Sequence, residues 1–250
     1  QIVKEERKKV LTSNLKRSGE KFRNDVDSYD SDILYSEKNN GKFLGVQRPD
    51  FPLNNWKSNF LIGISANGKK LYSNEHNLGN KYTFNLPNNS ETAYFFEYEK
   101  KSYGFEPSGE VIEFEKMHNV FSVSFFLSLN SNAILAGFQG DDSYGKGDLY
   151  ISFKQQNGKF EYPINLGPDL NTINDEGEPY LAADLQTIYF TRQINKSERK
   201  VFVSRRLDDT WKKWTKPVAL PEPINMPNTL TRDPFITANG KTIYFSSNRK

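Results

Sequence analysis

The 250-residue chain contains no cysteine, which excludes a disulfide framework, thiolate metal sites and a cysteine nucleophile. It has two histidines, His76 and His118, and no matched ligands stand near either, so neither a histidine triad nor a zinc centre is expected. Long apolar runs are missing too. Stretches such as 60–64 and 133–138 fall far short of the roughly 20 residues that span a bilayer, so the chain is not expected to cross one. Strong charge of one sign is also absent, with Lys+Arg 34 against Asp+Glu 31. The small excess sits in residues 1–24, which carry eight basic and three acidic side chains and leave 26 basic against 28 acidic elsewhere. A near-neutral body gives a nucleic-acid groove little electrostatic support, and no nucleic-acid partner is expected. The basic stretch reads as a solvated leader over residues 1–30. The initiator methionine is missing as well. A start at Gln1-Ile2-Val3 fits a chain cleaved by signal peptidase, so the expectation is an exported protein of the periplasm, outer membrane or cell surface.

What is present is an aromatic-rich, turn-rich chain. Aromatics make up 14% and all hydrophobic residues 36%, a composition that favours pleated, half-buried surfaces and excludes collagen-like or wholly disordered chains. Self-similarity then decides the fold class. Ser65-Ala66-Asn67-Gly68-Lys69-Lys70-Leu71-Tyr72 returns as Thr237-Ala238-Asn239-Gly240-Lys241-Thr242-Ile243-Tyr244. A copy without glycine runs from Ala182 through Asp184-Leu185 to Tyr189, and a more eroded one from Ser128 through Asn130-Ser131 to Leu135. The anchors Leu71, Ile134, Ile188 and Ile243 are 63, 54 and 55 residues apart, the spacing of propeller blades. Asn-Gly between alternating apolar residues is a hairpin signal.

A second unit follows each first one. It appears as Asp148-Leu149-Tyr150-Ile151-Ser152 with Pro163-Ile164-Asn165-Leu166, and as Lys200-Val201-Phe202-Val203-Ser204 with Pro217-Val218-Ala219-Leu220. An early copy is Asp32-Ile33-Leu34-Tyr35-Ser36, and a divergent one covers 92–99 and 110–114. Two hairpins per period make a four-stranded blade. The expected fold is therefore all-β: a β-propeller of four-stranded antiparallel blades over residues 31–250, with no helix beyond one short turn within 3–17. The C-terminal hairpin can pair with the early second unit to close a ring of four blades. A longer chain would instead add blades after Lys250.

The fullest copy, Pro163-Ile164-Asn165-Leu166-Gly167-Pro168-Asp169-Leu170-Asn171 on to Asp175-Glu176-Gly177-Glu178-Pro179-Tyr180, is echoed by Pro223-Ile224-Asn225-Met226-Pro227-Asn228 and Arg232-Asp233-Pro234-Phe235. These segments resemble the WD-like, TolB-type propeller repeat family of bacterial envelope proteins, often found in the Bacteroidota. The match is specific over 145–250, weaker over 30–75 and poor over 76–140. The resemblance implies a propeller that serves as a platform for a protein or ligand, and it implies fold more firmly than function.

Two functional readings follow. The first is a non-enzymatic binding or assembly module of a bacterial envelope, docking an envelope protein or a glycan. Its partner surface is placed at Tyr82, Phe84, Tyr94 and Phe96 in the irregular segment 76–101, with Trp214 as an added aromatic that could stack on a ligand. The alternative is a sialidase-like glycoside hydrolase, with its acid and base drawn from Asp175, Glu176 and Asp233, and Arg192 and Arg249 clamping a substrate carboxylate. Against it, no clean Ser-x-Asp-x-Gly-x-x-Trp box is present, and carboxylates that recur once per blade suit turn geometry better than chemistry. Trp211 is expected to pack between blades. The loop 141–148 has a calcium-like composition but lacks the spacing of a calcium loop, so no metal and no cofactor is expected.

Overall fold

The repeated first unit folds into one recurring hairpin turn. The Ser65 hydroxyl donates to Asn67 Oδ1 at 2.8 Å, and the Lys69 and Lys70 N–H groups donate back to Asn67 Oδ1 and Ser65 Oγ at 3.0 and 2.9 Å. Ser128 with Asn130 and Thr237 with Asn239 repeat the arrangement, each pair at 2.7 Å. In the remaining copy Asp184 Oδ1 accepts from the N–H groups of Gln186 and Thr187 at 2.9 and 2.8 Å. The residue after the Asn or Asp has positive φ in every copy: +67° at Gly68, +57° at Ser131, +55° at Leu185 and +69° at Gly240. Losing the glycine has therefore not changed the turn. The side-chain hydrogen bonds offset the roughly 1 kcal/mol that a left-handed conformation costs an L-residue.

The computed structural model describes residues 2–6, 31–49, 53–54, 59–75, 92–102, 104–115 and 124–249. The chain forms two units, Gln1–Asn88 with Tyr94–Val111, and Asn89–Ala93 with Ile112–Lys250. In the first, β1 (Ile2–Glu6) pairs antiparallel with β2 (Ser31–Tyr35), and β3 (Lys38–Asn39) pairs with β4 (Lys42–Phe43). A four-stranded sheet follows in chain order, β5 (Asn59–Ile64), β6 (Lys70–Glu75), β7 (Thr92–Lys101) and β8 (Gly104–Glu115). Its core gathers Ile33, Leu53, Leu71, Phe96 and Tyr98.

The second unit holds a four-stranded sheet of β9 (Ser124–Leu127), β10 (Ala133–Phe138), β11 (Asp148–Phe153) and β12 (Ile164–Asn165). The next is β13 (Glu176–Leu181), β14 (Thr187–Asn195), β15 (Glu198–Arg205) and β16 (Val218–Ala219), and a hairpin of β17 (Thr231–Ile236) and β18 (Ile243–Ser247) follows. β13 lies against β9 and β10 of one sheet and against β17 of the other. Leu135, Leu149, Ile151, Tyr180, Ile188, Phe190 and Trp214 fill the space between them. The all-β expectation stands: these antiparallel four-stranded meanders are propeller-type blades. Among the described residues there is no helix long and apolar enough to cross a membrane.

Two buried side chains lock three of the second units. Asn171 Oδ1 accepts from the Leu149 N–H at 2.8 Å while its Nδ2 donates to Leu149 O at 3.0 Å. Asn54 clasps Ile33 in the same way at 2.6 and 2.8 Å, and Asn225 clasps Val201 at 2.9 and 2.8 Å. Each amide takes the place of a neighbouring strand, satisfying backbone groups that would otherwise be orphaned. The serine ending each of these three units donates to the returning chain: Ser36 to Leu44 O and Ser204 to Thr215 O, both at 2.6 Å, and Ser152 to Glu161 O.

Two details depart from the sequence reading. Residues 2–6 form a strand on β2 rather than leader or helical turn; the rest of 1–30 lies outside the described residues. Asn225 corresponds to Asn171, not to Asn165, so the Pro163 and Pro223 segments are offset. The hairpin β17–β18 is a two-stranded sheet among the described residues.

Candidate functional site

The first strands of the last two sheets carry matching irregularities. Glu178 and Asp233 each precede a proline, have φ of +51° and +50°, and fall where the pairing register shifts, between Gly177 and Tyr180 and between Arg232 and Phe235. A bulge of this kind re-aims a side chain. The Glu178 N–H donates to Ser124 Oγ of the preceding sheet at 2.7 Å, which holds the bulge in place. Glu178 Oε2 accepts from the Thr191 hydroxyl at 2.5 Å, and Oε1 accepts from Arg232 Nη1 at 2.8 Å. At the equivalent point Asp233, which is exposed, accepts from the Ser246 hydroxyl at 3.0 Å.

Arg199 stands behind this pair, with a side chain only 4% exposed. Its guanidinium donates to Gln193 Oε1 at 3.0 Å and Thr191 Oγ1 at 2.6 Å, pairs with Asp175 Oδ2, and lies 3.7 Å from Glu178 Oε2. A buried guanidinium needs this many acceptors, because leaving one of its partners unpaired costs about 3–5 kcal/mol. Burial pushes the Glu178 carboxyl above the ordinary glutamate range; Arg199 opposes that shift and the Asp233 charge reinforces it. The two carboxyls thus sit in unlike settings, Glu178 largely buried and Asp233 open to solvent.

Beside them opens a cleft of about 440 Å³, with Lys146, Asp175, Gln193, Lys196 and Arg232 among its lining residues. Arg232 belongs to both places: it lines the cleft and binds Glu178.

The residues expected from sequence divide between this site and the scaffold. Asp175 is at the cleft wall and Asp233 at the bulge. Glu176 is buried and fully engaged by the Thr172 N–H and hydroxyl, at 2.9 and 2.6 Å, and by Arg192 Nε at 2.6 Å. Arg192 also donates to Leu170 O and stacks on Phe202 at 4.8 Å, so this pair braces a blade instead of clamping a substrate. Arg249 donates to Pro223 O and covers the Phe245 ring at 5.0 Å. Nor is it equivalent to Arg192, whose register partner Glu176 corresponds to Thr231, and Thr231 pairs with Ser247.

Tyr82 and Phe84 lie outside the described residues. Phe96 is 3% exposed and Tyr94 packs against the same core, so the described part of the irregular segment is interior sheet. Trp214 is likewise 3% exposed, with its indole N–H donating to Trp211 O at 2.9 Å, and is withdrawn from any ligand. Trp211 meets Phe153 of the neighbouring sheet at 5.2 Å, a packing contact between blades. In the 141–148 loop, Asp142 accepts from the Tyr150 hydroxyl and Asp148 from the Tyr144 N–H and Asn165 Nδ2. Among the described residues no cluster of three or more metal-ligating side chains occurs.

Neither a protein-family model nor a curated protein matches the chain. Two solved structures are similar to it. One, a periplasmic gluconolactonase of Pseudomonas aeruginosa, is 12% identical, with 86% of this chain and 57% of that one covered at a TM-score of 0.42. The other, a Bacteroides fragilis protein assigned as a 6-phosphogluconolactonase, is 14% identical, with 86% and 56% covered at a TM-score of 0.37. The chain spans little more than half the length of either. Both carry enzyme names, which runs against the expectation of a non-enzymatic binding module, and that expectation is withdrawn. The likeness concerns strand arrangement and goes no further.

Proposed function

We propose that the second unit houses a hydrolase site for a glycoside of an acidic sugar, with Glu178 as general acid, Asp233 as general base and Arg232 as the clamp on the substrate's charged group. The observation that carries this reading is the placement of Glu178 and Asp233 at equivalent bulges, one carboxyl largely buried and bound by Arg232, the other exposed. In the reaction the Glu178 carboxyl gives its proton to the leaving oxygen as the glycosidic C–O bond breaks. Asp233 takes a proton from the water whose oxygen forms the new bond to the anomeric carbon. Arg199 is a positioning residue: it holds Thr191, and Thr191 holds Glu178.

The test is a panel of 4-nitrophenyl glycosides of neutral and acidic sugars, assayed with the chain and with E178Q and D233N. The reading expects turnover of an acidic glycoside that falls by about 100-fold or more in each variant. Absence of turnover across the panel, or variants as active as the parent, refutes it.

A further inference from the structure

We infer that the cleft beside Arg232 is a subsite for an amphipathic anion, in which an oxyanion group and an apolar substituent of one small molecule are bound together. This rests on the hydrolase reading and names the class of substrate that site would take. Three cations line the cleft, Lys146, Lys196 and Arg232, against one acidic side chain, Asp175. Asp175 is already paired with Arg199, and Arg232 is held by Glu178, so neither acidic side chain offsets the two lysines. Lys146 and Lys196 form no ion pair among the described residues and remain as uncompensated charge facing the space; Asp233, near Glu178, offsets part of it. Two lysines without ion-pair partners in the lining of a cleft that also holds a guanidinium attract a carboxylate or a phosphate.

The same cleft carries apolar surface. Ile173 is 81% exposed and Ile194 41% exposed, and both line it. Exposed isoleucines beside cationic groups provide a contact for an aryl or alkyl group and for the apolar face of a sugar ring. The Asn174 amide adds a donor and an acceptor suited to hydroxyls, while Gln193 and Asn195 are engaged by Arg199, Ser197 and Glu198. A volume of about 440 Å³ is ample for such a molecule.

The experiment is titration calorimetry of the chain with glucose, glucuronate, glucose 6-phosphate and 4-nitrophenyl glucuronide, repeated with the double variant K146A/K196A, with I173S, and with K159A/K241A as an exposed-lysine control. Binding of glucuronate and glucose 6-phosphate needs no turnover, so its outcome is distinct from that of the hydrolase assay. The expected result is binding of both anions and not of glucose, weakened about tenfold in K146A/K196A and unchanged in the control. Binding of one anion alone supports the subsite and identifies the oxyanion group. The nitrophenyl group should tighten glucuronate binding, and I173S should abolish that gain. Glucose binding as well as glucuronate, or undiminished anion binding by K146A/K196A, overturns the inference. Melting curves that coincide with the parent confirm that each variant is folded.

Discussion

Replacing Asn171 with alanine tests the amide lock on which the blade geometry depends. Asn171 is 2% exposed and makes hydrogen bonds to the Leu149 N–H, to Leu149 O and to Asn165 Oδ1. The consequences differ at the three partners. Leu149 O keeps the Leu166 N–H at 3.0 Å, and Asn165 Oδ1 keeps the Gly167 N–H at 2.9 Å. The Leu149 N–H, on a residue with no solvent exposure, loses its acceptor. One orphaned buried donor costs about 1–3 kcal/mol, and two further lost bonds about 0.5–1.5 kcal/mol each, so the variant should lose about 2–6 kcal/mol. Urea unfolding followed by tryptophan fluorescence suits the measurement, because Trp211 and Trp214 both belong to this unit's packing. Asn171→Asp makes a second arm. It keeps an acceptor for the Leu149 N–H but sets a carboxylate against Leu149 O and Asn165 Oδ1, so its deficit should shrink as pH falls into the carboxylate range. A loss below about 1 kcal/mol for the alanine variant would refute the lock, since even one orphaned buried N–H should cost that much.

Other perturbations probe neighbouring parts of the account. A Cβ on Gly137 would meet both Gly177 Cα and Ser124 Oγ at 2.8 Å, so G137A should destabilise by about 1–3 kcal/mol and, by displacing the hydroxyl that holds Glu178 N–H, should lower activity as well. W214A should cost about 3–5 kcal/mol in urea unfolding, as a core truncation does, whereas a ligand-stacking residue at the surface would leave stability almost unchanged. Burial raises the Asp148 carboxyl above the ordinary aspartate value, against hydrogen bonds from Asn165, Tyr144 and Gly145. Its contribution to stability is therefore fully present below the unfolded value of 3.8 and lost as pH rises through the raised folded value. The stability of the parent relative to D148N should accordingly improve as pH is lowered from 7 towards 4, and a pH-independent difference would contradict the burial argument.

The parts of the fold legible in the sequence are those set by local chemistry. Ser65 with Asn67 and Thr237 with Asn239 announce a hairpin because the same side chains make the turn's hydrogen bonds, and the period of the turns placed the strands. The copies at Asp184 and Asn130 were recognisable without glycine for the same reason. The offset of Asn225 against Asn165 was not, because Ile-Asn occurs at both places and only the clasp on the facing strand distinguishes the locking amide.

At the candidate site, Glu176 and Glu178 are two residues apart and would share a face of a regular strand. The bulge at Glu178 breaks that alternation, which is why one carboxyl braces Arg192 while the other meets Arg232. Arg199 sits in a run, Lys196-Ser197-Glu198-Arg199-Lys200, that reads as a solvated turn. The available signal was its place two residues before Val201, on the same buried side of β15. For Trp214 the sequence leaves stacking and packing both open, and burial decides for packing: Phe160 bridges Lys154 as Trp214 bridges Arg206, and both aromatics are buried.

The measurement closest to the central claim is the pH dependence of kcat/KM for an acidic 4-nitrophenyl glycoside, taken with the parent chain and with E178Q. A general acid whose carboxyl is raised by burial predicts a rate that declines as pH rises through the Glu178 value, with that decline absent from a residual rate at least about 100-fold lower in E178Q. A variant that keeps both the parent rate and the parent profile would show that Glu178 only braces Arg232, and the assignment of the site would be wrong.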